Sequence, residues 1–400
     1  MKGYFPPEVA SSNQMFMEMI EVLDNHGYNI SIVTPIPTRG VDKNVRKEYK
    51  KRKKECLHTH TTIKRYWLPI ERHSSFARAF RYFLQSVFQL VYGLCHKYDI
   101  LFLYSTPPTN GLVGGLLRKI KKRPFIYYVQ DIFPDSLVAV GKTSEGTMIW
   151  KLGRRMENLA YANSNCIVTL TEGMRNNIAQ KGISVEKIYV VPTWVNPKHI
   201  NHVDRNDNSL FYELGIDKKK FIVTYAGNIG EAQSVGTLIR AARLLKDDSE
   251  TLFVIIGDGS DKANCLDMAD GLHNVLFFPM QAPERISEVY SLGDVSTVLC
   301  KKGIGSIGMP SKVCSILSAG VLLLAAFDQK SDLGRMINGS KIGYLVEPEN
   351  EYQLADIIRH LKEHRETLVE YARQGREFLE SNFTANKCIG QILEILSQYE

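Results

Sequence analysis

Short apolar segments alternate with longer stretches of helical periodicity along the whole chain. The segments predicted as strands are residues 29–34, 100–104, 125–129, 166–170 and 188–191 in the first half, and 221–226, 251–256, 275–278, 295–300, 321–326 and 343–346 in the second. Helices are predicted between them, for example over residues 235–246, 282–292 and 352–364. Buried strands separated by helices favour a parallel, doubly wound sheet. Two such series predict an α/β protein with two Rossmann-like domains.

The break between the two series lies near residues 193–220, where prolines and a polar run predict a linker. We therefore expect a first domain over residues 1–197, a second over residues 198–381, and a final helix over residues 382–400 that packs back toward the first domain. A Rossmann domain usually opens with a central strand, yet only three residues precede Tyr4. Either that strand is absent, or the chain as given lacks its natural beginning.

Composition and cysteine usage narrow the class of protein. Of the 400 residues, 44% are hydrophobic and 23% are charged, as in an ordinary globular chain. The seven cysteines are scattered without CxxC spacing, which argues against a disulfide framework or a zinc site and fits a reducing cytosol. No signal peptide opens the sequence, and no apolar run reaches the roughly 20 residues of a membrane-spanning helix. We therefore expect a cytoplasmic protein.

The net charge of +7 is unevenly distributed. Residues 43–54 contain eight lysines or arginines, and residues 64–83 mix further cations with aromatic side chains. Basic residues interleaved with aromatics suit the surface of an anionic membrane, and they also occur in proteins that bind nucleic acid. A solvated loop in front of a core helix is the alternative. Of the two partners, we expect the anionic membrane and no nucleic acid.

A glycine-broken loop, a helix start and a lysine come together within residues 301–327. The loop ends at Met309, and Pro310 can open a helix. Ser311 and Lys312 then fall in its first turn. Loop N–H groups, a helix N-terminus and a lysine side chain together form an anion site. The strand–loop–helix order indicates a diphosphate at the mouth of a parallel sheet, and a plain turn with a surface lysine is the alternative.

Two further strand ends in the second half carry glycines and polar side chains. Gly227 and Gly230 allow the backbone to approach a phosphate closely. Asn228 and Gln233, in the same segment, can donate hydrogen bonds. The segment is not a GxGxxG sequence, which weakens a nicotinamide-binding interpretation. Asp258 lies in an acidic turn after the next strand, where a turn without further role is the alternative.

Polar residues in the first half lie where the loops of a doubly wound sheet build a binding site. Glu8 belongs to a loop before the first predicted helix. Ser105, Thr106 and Asn110 leave a strand and enter a helix. Asp131 lies at the C-terminal end of a strand and is the candidate to contact an acceptor hydroxyl. Capped or proline-stiffened turns are the alternative for these segments.

Six short motifs occur in the order of a known enzyme family. They are Phe5-Pro6-Pro7-Glu8, DIFPDS at residues 131–136, VVPTWV at 190–195, AGNIG at 226–230, GDG at 257–259 and PSKV at 310–313. In these motifs the chain resembles the family 4 retaining glycosyltransferases of the GT-B fold, whose two Rossmann-like domains face a central cleft. The likeness covers nearly the whole chain. It is greatest to bacterial enzymes of O-antigen, capsule and exopolysaccharide assembly, of the L-fucosamine transferase type.

The resemblance implies a UDP-sugar donor bound mainly by the second domain and an acceptor bound by loops of the first. Carried over by position, Asn228, Gly230 and Lys312 would line the diphosphate. Gln233 would lie nearby, and Asp258 would lie on the base or ribose side. GT-B enzymes generally need no metal, because helix N-termini and basic side chains stabilise the leaving diphosphate. We therefore expect no metal and no cofactor beyond the nucleotide-sugar substrate.

Lys312 and Asp131 are thus the expected catalytic residues, on the donor and acceptor sides respectively. The chain departs from the family pattern in one place. The two glutamates that many members carry around the Pro-Ser-Lys helix correspond here to Ile307 and Ser315. Asp332, after the next strand, is the candidate substitute on the donor side.

The expected function is retaining transfer of a sugar, an N-acetylated hexosamine, from a UDP-sugar to a polyprenyl-diphosphate-linked saccharide during cell-surface polysaccharide assembly. The enzyme would act as a peripheral protein on the inner face of the plasma membrane. A UDP-N-acetylglucosamine 2-epimerase-like enzyme is one alternative, although it needs neither a lipid acceptor nor a basic face. A non-catalytic partner subunit is the other, and it would fit the absent glutamate pair and the missing first strand.

Overall fold

The computed structural model describes residues 1–8, 13–70, 74–139, 141–305 and 308–400. Internal contacts divide the chain into two compact units. Unit 1 comprises Met1–Pro192 and Ala385–Glu400, and unit 2 comprises Thr193–Thr384. The boundary expected after residue 197 therefore lies inside unit 2. Val195 is held there because it pairs with Thr384 and its N–H donates to Phe383 O (3.0 Å).

Unit 1 contains two sheets. Its strands are β1 (Ile30–Pro35), β2 (Lys54–Cys56), β3 (Thr61–Tyr66), β4 (Leu101–Tyr104), β5 (Phe125–Val129), β6 (Cys166–Thr169) and β7 (Ile188–Val190). The first three form a sheet in the order β1-β3-β2, and the other four a sheet in the order β4-β5-β6-β7. Every pairing is parallel except that of β2 with β3. Every residue of β5 and β6 is buried, as expected for strands covered by helices on both faces.

Helices connect these strands. They are α1 (Asn13–Asn25), α2 (Lys43–Lys51), α3 (Ser75–Cys95), α4 (Asn110–Lys121), α5 (Asp135–Ala139), α6 (Met148–Asn163) and α7 (Glu172–Gln180). Among the described residues, no strand precedes α1. The amino group of Met1 donates to Phe102 O of β4 (2.9 Å), and Lys2 N donates to Val33 O of β1 (3.1 Å). The chain start therefore touches both sheets of unit 1.

Unit 2 is built on one parallel, six-stranded sheet. Its strands are β8 (Phe221–Asn228), β9 (Thr251–Asp258), β10 (Val275–Phe278), β11 (Val295–Leu299), β12 (Leu322–Ala326) and β13 (Gly343–Val346), in the order β10-β9-β8-β11-β12-β13. Its helices are α8 (Leu210–Glu213), α9 (Val235–Leu244), α10 (Lys262–Met268), α11 (Ile286–Tyr290), α12 (Lys312–Ser318), α13 (Asp332–Gly339), α14 (Glu351–Glu363) and α15 (Glu366–Asn382). Two apolar cores cover the sheet, one on each face. The carboxyl ends of its strands therefore meet at one edge.

The last helix, α16 (Ala385–Ser397), belongs to unit 1 and packs against α1. The helix expected over residues 382–400 begins at Ala385, because α15 continues as far as Asn382 and a short extended crossing follows it. Beyond the helix, Gln398 Oε1 accepts a hydrogen bond from the Tyr189 hydroxyl (2.9 Å).

The α/β class with parallel sheets is confirmed, and the apolar segments predict most strands to within two residues at each end. The pattern did not predict β2 and β3, because β3 alternates threonines and cations with only Ile63 and Tyr66 as apolar members. The polar run before α8 packs onto unit 2 instead of forming a free linker. Asn208 is buried there, with its Nδ2 donating to Glu288 O (2.8 Å).

No helix in the described ranges combines the length and apolarity needed to cross a bilayer.

Candidate active site

The loop after β8 brings together four of the predicted donor-binding residues. Asn228 Nδ2 donates to Gln233 Oε1 (2.8 Å). A Cβ atom at Gly230 would lie 2.8 Å from Gln233 Oε1 and 2.9 Å from Asn228 Nδ2, so a side chain there would displace the two amide groups. Gly227 has a φ of 131°, which also favours glycine. The loop thus presents ordered amide groups at the end of a parallel strand.

Two glycines after β9 hold this loop against its neighbour. A Cβ atom at Gly257 would collide with Gly227 O, and one at Gly259 would collide with Ile229 O. Between them, Asp258 O accepts a hydrogen bond from Ile229 N (2.8 Å). The exposed Asp258 carboxylate accepts from Gly259 N through Oδ1 (2.9 Å) and so closes its own turn. The contact with base or ribose expected for this carboxylate stays a prediction.

Lys312 is the first residue of α12, and its ammonium group lies over an aromatic ring. The Nζ atom is 3.9 Å from the centroid of the Tyr225 ring. A Cβ atom at Gly227 would lie 3.1 Å from the same Nζ. The Tyr225 hydroxyl in turn donates to Asn228 O (2.5 Å). Lysine, ring and β8 loop therefore form one packed arrangement within unit 2.

The charge of Lys312 has no counter-charge among the residues that the structure describes. Burial lowers the pKa of the Lys312 ammonium group to about 7, and no carboxylate contributes an opposing shift. A desolvated cation of this kind gains stability from an anion brought close to it. The site can therefore receive a phosphate group, which would restore the charge of the lysine.

The prediction for Pro310 and Ser311 needs a correction. The helix begins at Lys312 and not at Pro310, because Pro310 O accepts from Val313 N (3.1 Å) in a tighter turn that precedes it. Ser311 takes the N-cap position without a side-chain hydrogen bond and is exposed. Its hydroxyl is therefore not consumed by capping.

Asp332 opens α13 and is engaged by a cation of its own first turn. Arg335 Nη2 donates to Asp332 Oδ1 (2.6 Å), an arrangement common on helix surfaces. Its expected role as a substitute for the missing glutamates stays a prediction. Of the two positions that correspond to those glutamates, Ile307 lies outside the described residues and Ser315 lies within α12.

The sequence analysis did not select two carboxylates that hold the loop after β11. Asp328 accepts from Gly303 N through Oδ1 (2.9 Å) and from Gly305 N through Oδ2 (2.7 Å). Glu349 accepts from Lys302 N (3.1 Å) and has a positive φ of 58°. The position of Asp328 two residues after a buried strand is a signal that could have found it. Together these contacts fix the glycine-rich segment that leads toward Lys312.

In unit 1, Asp131 follows β5 and accepts from Ser136 Oγ (3.0 Å). Although part of the residue is exposed, surrounding protein atoms withdraw its carboxyl from water and raise its pKa, and the charge of Asp135 adds to the rise. Asp131 and Ser105 line one small cavity of about 10 Å³, the space of a single water. Ser105 Oγ accepts from Gln130 N (3.2 Å). The structure thus brings these two predicted residues together.

Two other predicted acceptor-side residues have structural roles. Asn110 is fully buried, and its Nδ2 donates to Tyr104 O (3.0 Å) and Thr106 O (3.1 Å), so it shapes the loop from within. Glu8 is also buried, and its Oε1 accepts from Thr38 N (2.7 Å) and from the next backbone N–H. These side chains join loops instead of facing an acceptor. Thr106 itself is exposed at the loop surface.

A buried charge cluster behind the Asp131 loop was not predicted. Glu157 accepts from Arg154 Nη1 (2.6 Å), Lys181 Nζ (2.8 Å) and the Tyr161 hydroxyl (2.8 Å). Lys181 also reaches Asp135 Oδ2 (3.1 Å). The cluster joins α5 and α6 to Lys181, which caps the C-terminal end of α7. Asp135 and Lys181 are too far from Glu157 in the sequence for a local pattern to reveal their contacts. The cluster fixes the helix that follows Asp131.

The described residues contain no group of three or more His, Cys, Asp or Glu side chains placed to hold a metal ion.

Comparisons with known proteins match both halves of the chain. The family described as Glycosyltransferase Family 4 matches residues 12–199, and the family described as Glycosyl transferases group 1 matches residues 206–378. The chain is 27% identical to the putative colanic acid biosynthesis glycosyl transferase WcaI of Escherichia coli, over 92% of this chain and 94% of that protein. It is 24% identical to the probable glycosyltransferase WbjE of Pseudomonas aeruginosa, over 72% and 71%.

Solved structures share the architecture. Anabaena Alr3699/HepE in complex with UDP and glucose has a TM-score of 0.71 at 16% identity, with 98% of each chain covered. WaaG, a glycosyltransferase involved in lipopolysaccharide biosynthesis, has a TM-score of 0.70 at 15% identity, with 98% of this chain and 97% of that chain covered. Since the two glycosyltransferase families match successive halves of the sequence and the neighbours share its fold, the chain belongs to the glycosyltransferases of the GT-B fold.

Proposed function

We propose that the chain is a retaining glycosyltransferase that moves a sugar, an N-acetylated hexosamine, from a UDP-sugar to a lipid-linked saccharide in cell-surface polysaccharide assembly. The UDP-sugar part of this proposal is supported mainly by the ammonium group of Lys312. This group has no counter-charge among the described residues and lies beside the glycine loop of β8. A nucleoside diphosphate supplies the missing anion. The name of the Escherichia coli relative and the UDP bound to the Anabaena neighbour support this assignment.

The chemistry follows from the placement of charge. The bond between the anomeric carbon and the β-phosphate oxygen breaks, and UDP leaves with the electron pair. Negative charge grows on the diphosphate, where the Lys312 ammonium and the amide groups of Asn228 and Gln233 stabilise it more strongly than in the ground state. The acceptor oxygen bonds to the same face of the sugar, and its proton passes to the leaving phosphate oxygen. No metal is required in this scheme.

The acceptor side of the proposal rests on unit 1. In this proposal Asp131, which follows β5, accepts a hydrogen bond from the attacking hydroxyl and orients it. Ser105 lies in the same small cavity, and the Thr106 hydroxyl is exposed beside it. Productive geometry is worth several orders of magnitude in rate, so a residue that only orients the acceptor still matters.

We further propose that the protein works at the inner face of the plasma membrane. On α3, Phe80, Phe83, Val87 and Val91 are exposed and repeat at helical spacing, so they form one apolar row. The basic helix α2 contributes cations in the same unit. Exposed apolar rows with neighbouring cations are typical of surfaces that bind anionic lipid.

Labelled UDP-N-acetylhexosamines, with and without a prenyl-diphosphate-linked acceptor sugar, test the proposal. Transfer with retained anomeric configuration, read by NMR of the product, is the expected result. Epimerised donor in the absence of acceptor would instead identify a 2-epimerase-like enzyme. A folded protein that binds no UDP-sugar and releases no UDP would be a non-catalytic partner subunit.

A further inference from the structure

Unit 1 contains another cavity, lined by α2, the segment after β3 and α3, which we call the basic groove. Its volume is about 710 Å³, enough for a diphosphate together with part of a hydrocarbon chain. One wall carries the cations Lys43, Arg46, Lys47 and Lys50 of α2. Another part of the lining consists of Trp67, Ile70 and Phe80. The groove therefore combines strong positive charge with an apolar surface.

The cationic wall is one face of α2. Asp42 caps the helix by accepting from Val45 N (3.3 Å), which fixes where it begins. Lys43, Lys47 and Lys50 follow at spacings of four and three residues and so share a face. The acidic residue of α2, Glu48, pairs with Arg52 (2.8 Å), so it does not neutralise that face. Within the described ranges, the cations of the groove have no ion-pair partner.

Two guanidinium groups, Arg46 in the groove wall and Arg81 close to it, each have one buried nitrogen without an acceptor in the described part of the chain. Arg81 is 2% exposed and donates to Pro69 O, yet its Nη2 is buried without a partner in the described part of the chain. Arg46 donates to Leu68 O through Nη2 (3.2 Å), and its Nε is likewise unpaired. Desolvation and repulsion from Arg81 both lower the pKa of Arg46. The two guanidinium groups repel each other, and an anion bound in the groove would relieve that repulsion.

Among the described residues, Glu8 is the carboxylate whose charge partly offsets the fall in the pKa of Arg46. Its Oε1 already accepts from the backbone N–H groups of Thr38 and Arg39. Its capacity to neutralise further donors is therefore limited. Positive charge in excess remains at the groove.

The apolar wall indicates that the anion carries a hydrocarbon chain. Trp67 is 59% exposed, Ile70 61% and Phe80 50%, which is unusual for such large apolar side chains grouped together. An inorganic anion would leave this surface in water. An amphiphile would cover it and would place its charged end against α2.

We propose that the basic groove binds the diphosphate of the lipid-linked acceptor, with its first isoprene units on Trp67, Ile70 and Phe80. The inference rests on the proposed function, because it takes the acceptor to be lipid-linked. Arg46 and the α2 lysines, which line the groove, bind the diphosphate oxygens, and the charge of the buried Arg81 adds to the positive potential there. The groove thus favours a prenyl diphosphate, because its cations match the diphosphate and its apolar side chains match the hydrocarbon chain.

Farnesyl diphosphate is a soluble probe of this site, with inorganic pyrophosphate and farnesol as its separate halves. Calorimetry should show that the whole protein binds farnesyl diphosphate at least tenfold more tightly than either half. Lys47→Ala combined with Lys50→Ala should weaken binding about tenfold or more, and Phe80→Ser about fivefold. Lys142→Ala, which removes an exposed lysine elsewhere in unit 1, is the matched control and should have no effect.

Two outcomes would overturn the inference. One is equal loss of affinity in Lys142→Ala and the α2 double variant, which would mean that only net charge matters. The other is equal binding of soluble dioctanoyl phosphatidylglycerol, which would make the groove a general contact for anionic lipid. UDP-sugar binding by the same variants separates this test from that of the proposed function. Donor binding that survives while farnesyl diphosphate fails to bind would refute the groove assignment alone.

Discussion

The pKa of Lys312 makes a quantitative prediction for UDP binding. In the free protein this pKa is about 7, because burial disfavours the charged form and no carboxylate compensates. A bound diphosphate favours the charged form, so binding should take up a proton. Because the folded free protein loses that proton as the pH rises through 7, affinity should fall at higher pH.

The magnitude follows from the protonated fraction. With a free pKa of about 7 and a lysine that stays charged in the complex throughout this range, the charged fraction before binding falls from about one half at pH 7 to about 1% at pH 9. The dissociation constant of UDP should therefore rise about 50-fold across this range. At pH 8, close to one proton should be taken up per UDP bound.

Calorimetry in two buffers with different ionisation enthalpies measures both quantities. In Lys312→Ala the proton uptake should disappear, and the affinity curve should be flat with pH and approach that of the natural chain near pH 9. Lys246→Ala, an exposed lysine of unit 2, serves as the control and should keep the natural pH dependence. A constant offset between Lys312→Ala and the natural chain at every pH would refute the reasoning, since it would show that the lysine titrates normally.

Four further predictions concern metal use, stability and membrane contact. Sugar transfer should persist in excess EDTA, and loss that magnesium or manganese restores would contradict a metal-free mechanism. Glu157→Gln should lower the free energy of unfolding by about 3 kcal/mol, because it leaves Asp135 as the one described carboxylate that pairs with Arg154 and Lys181. Glu172→Gln, in a more exposed pair, should change it by under about 1 kcal/mol in urea titrations. Gly259→Ala should weaken UDP binding and stability together because its Cβ would meet Ile229 O, while Gly390→Ala, with open space at its Cβ, should be tolerated. Phe83→Ser should reduce flotation with anionic liposomes several-fold, and unchanged flotation would remove the apolar row of α3 from the membrane contact.

The donor loops show which features of the site local sequence can predict. Gly227 and Gly230 were selected because glycine permits close backbone approach, and the structure gives Gly227 a conformational reason in its φ of 131°. Lys312 was selected as a cation near a helix start. Its contact with Tyr225 was not foreseen, because that ring comes from a strand far away in the sequence. The lowered pKa of Lys312 could not be predicted either, because it depends on burial by segments that are distant in the sequence.

The acceptor-side residues show what local sequence could not predict. Glu8 and Asn110 are polar residues in loops, which is the pattern expected of a binding surface. Their partners are backbone groups of the folded loops, so the side chains point inward. A polar residue that satisfies buried backbone donors cannot be told from an exposed one until its partners are placed.

The sequence by itself determined the α/β class, most of the parallel strands and the positions of the glycine loops. These properties depend on periodicity and on backbone freedom, which are local. The tertiary structure alone decided that α2 and the residues after β3 enclose a groove, that Asp328 holds the loop after β11, and that Arg81 is buried without a full set of acceptors. Burial and charge pairing depend on which distant segments meet, and no local pattern carries that information.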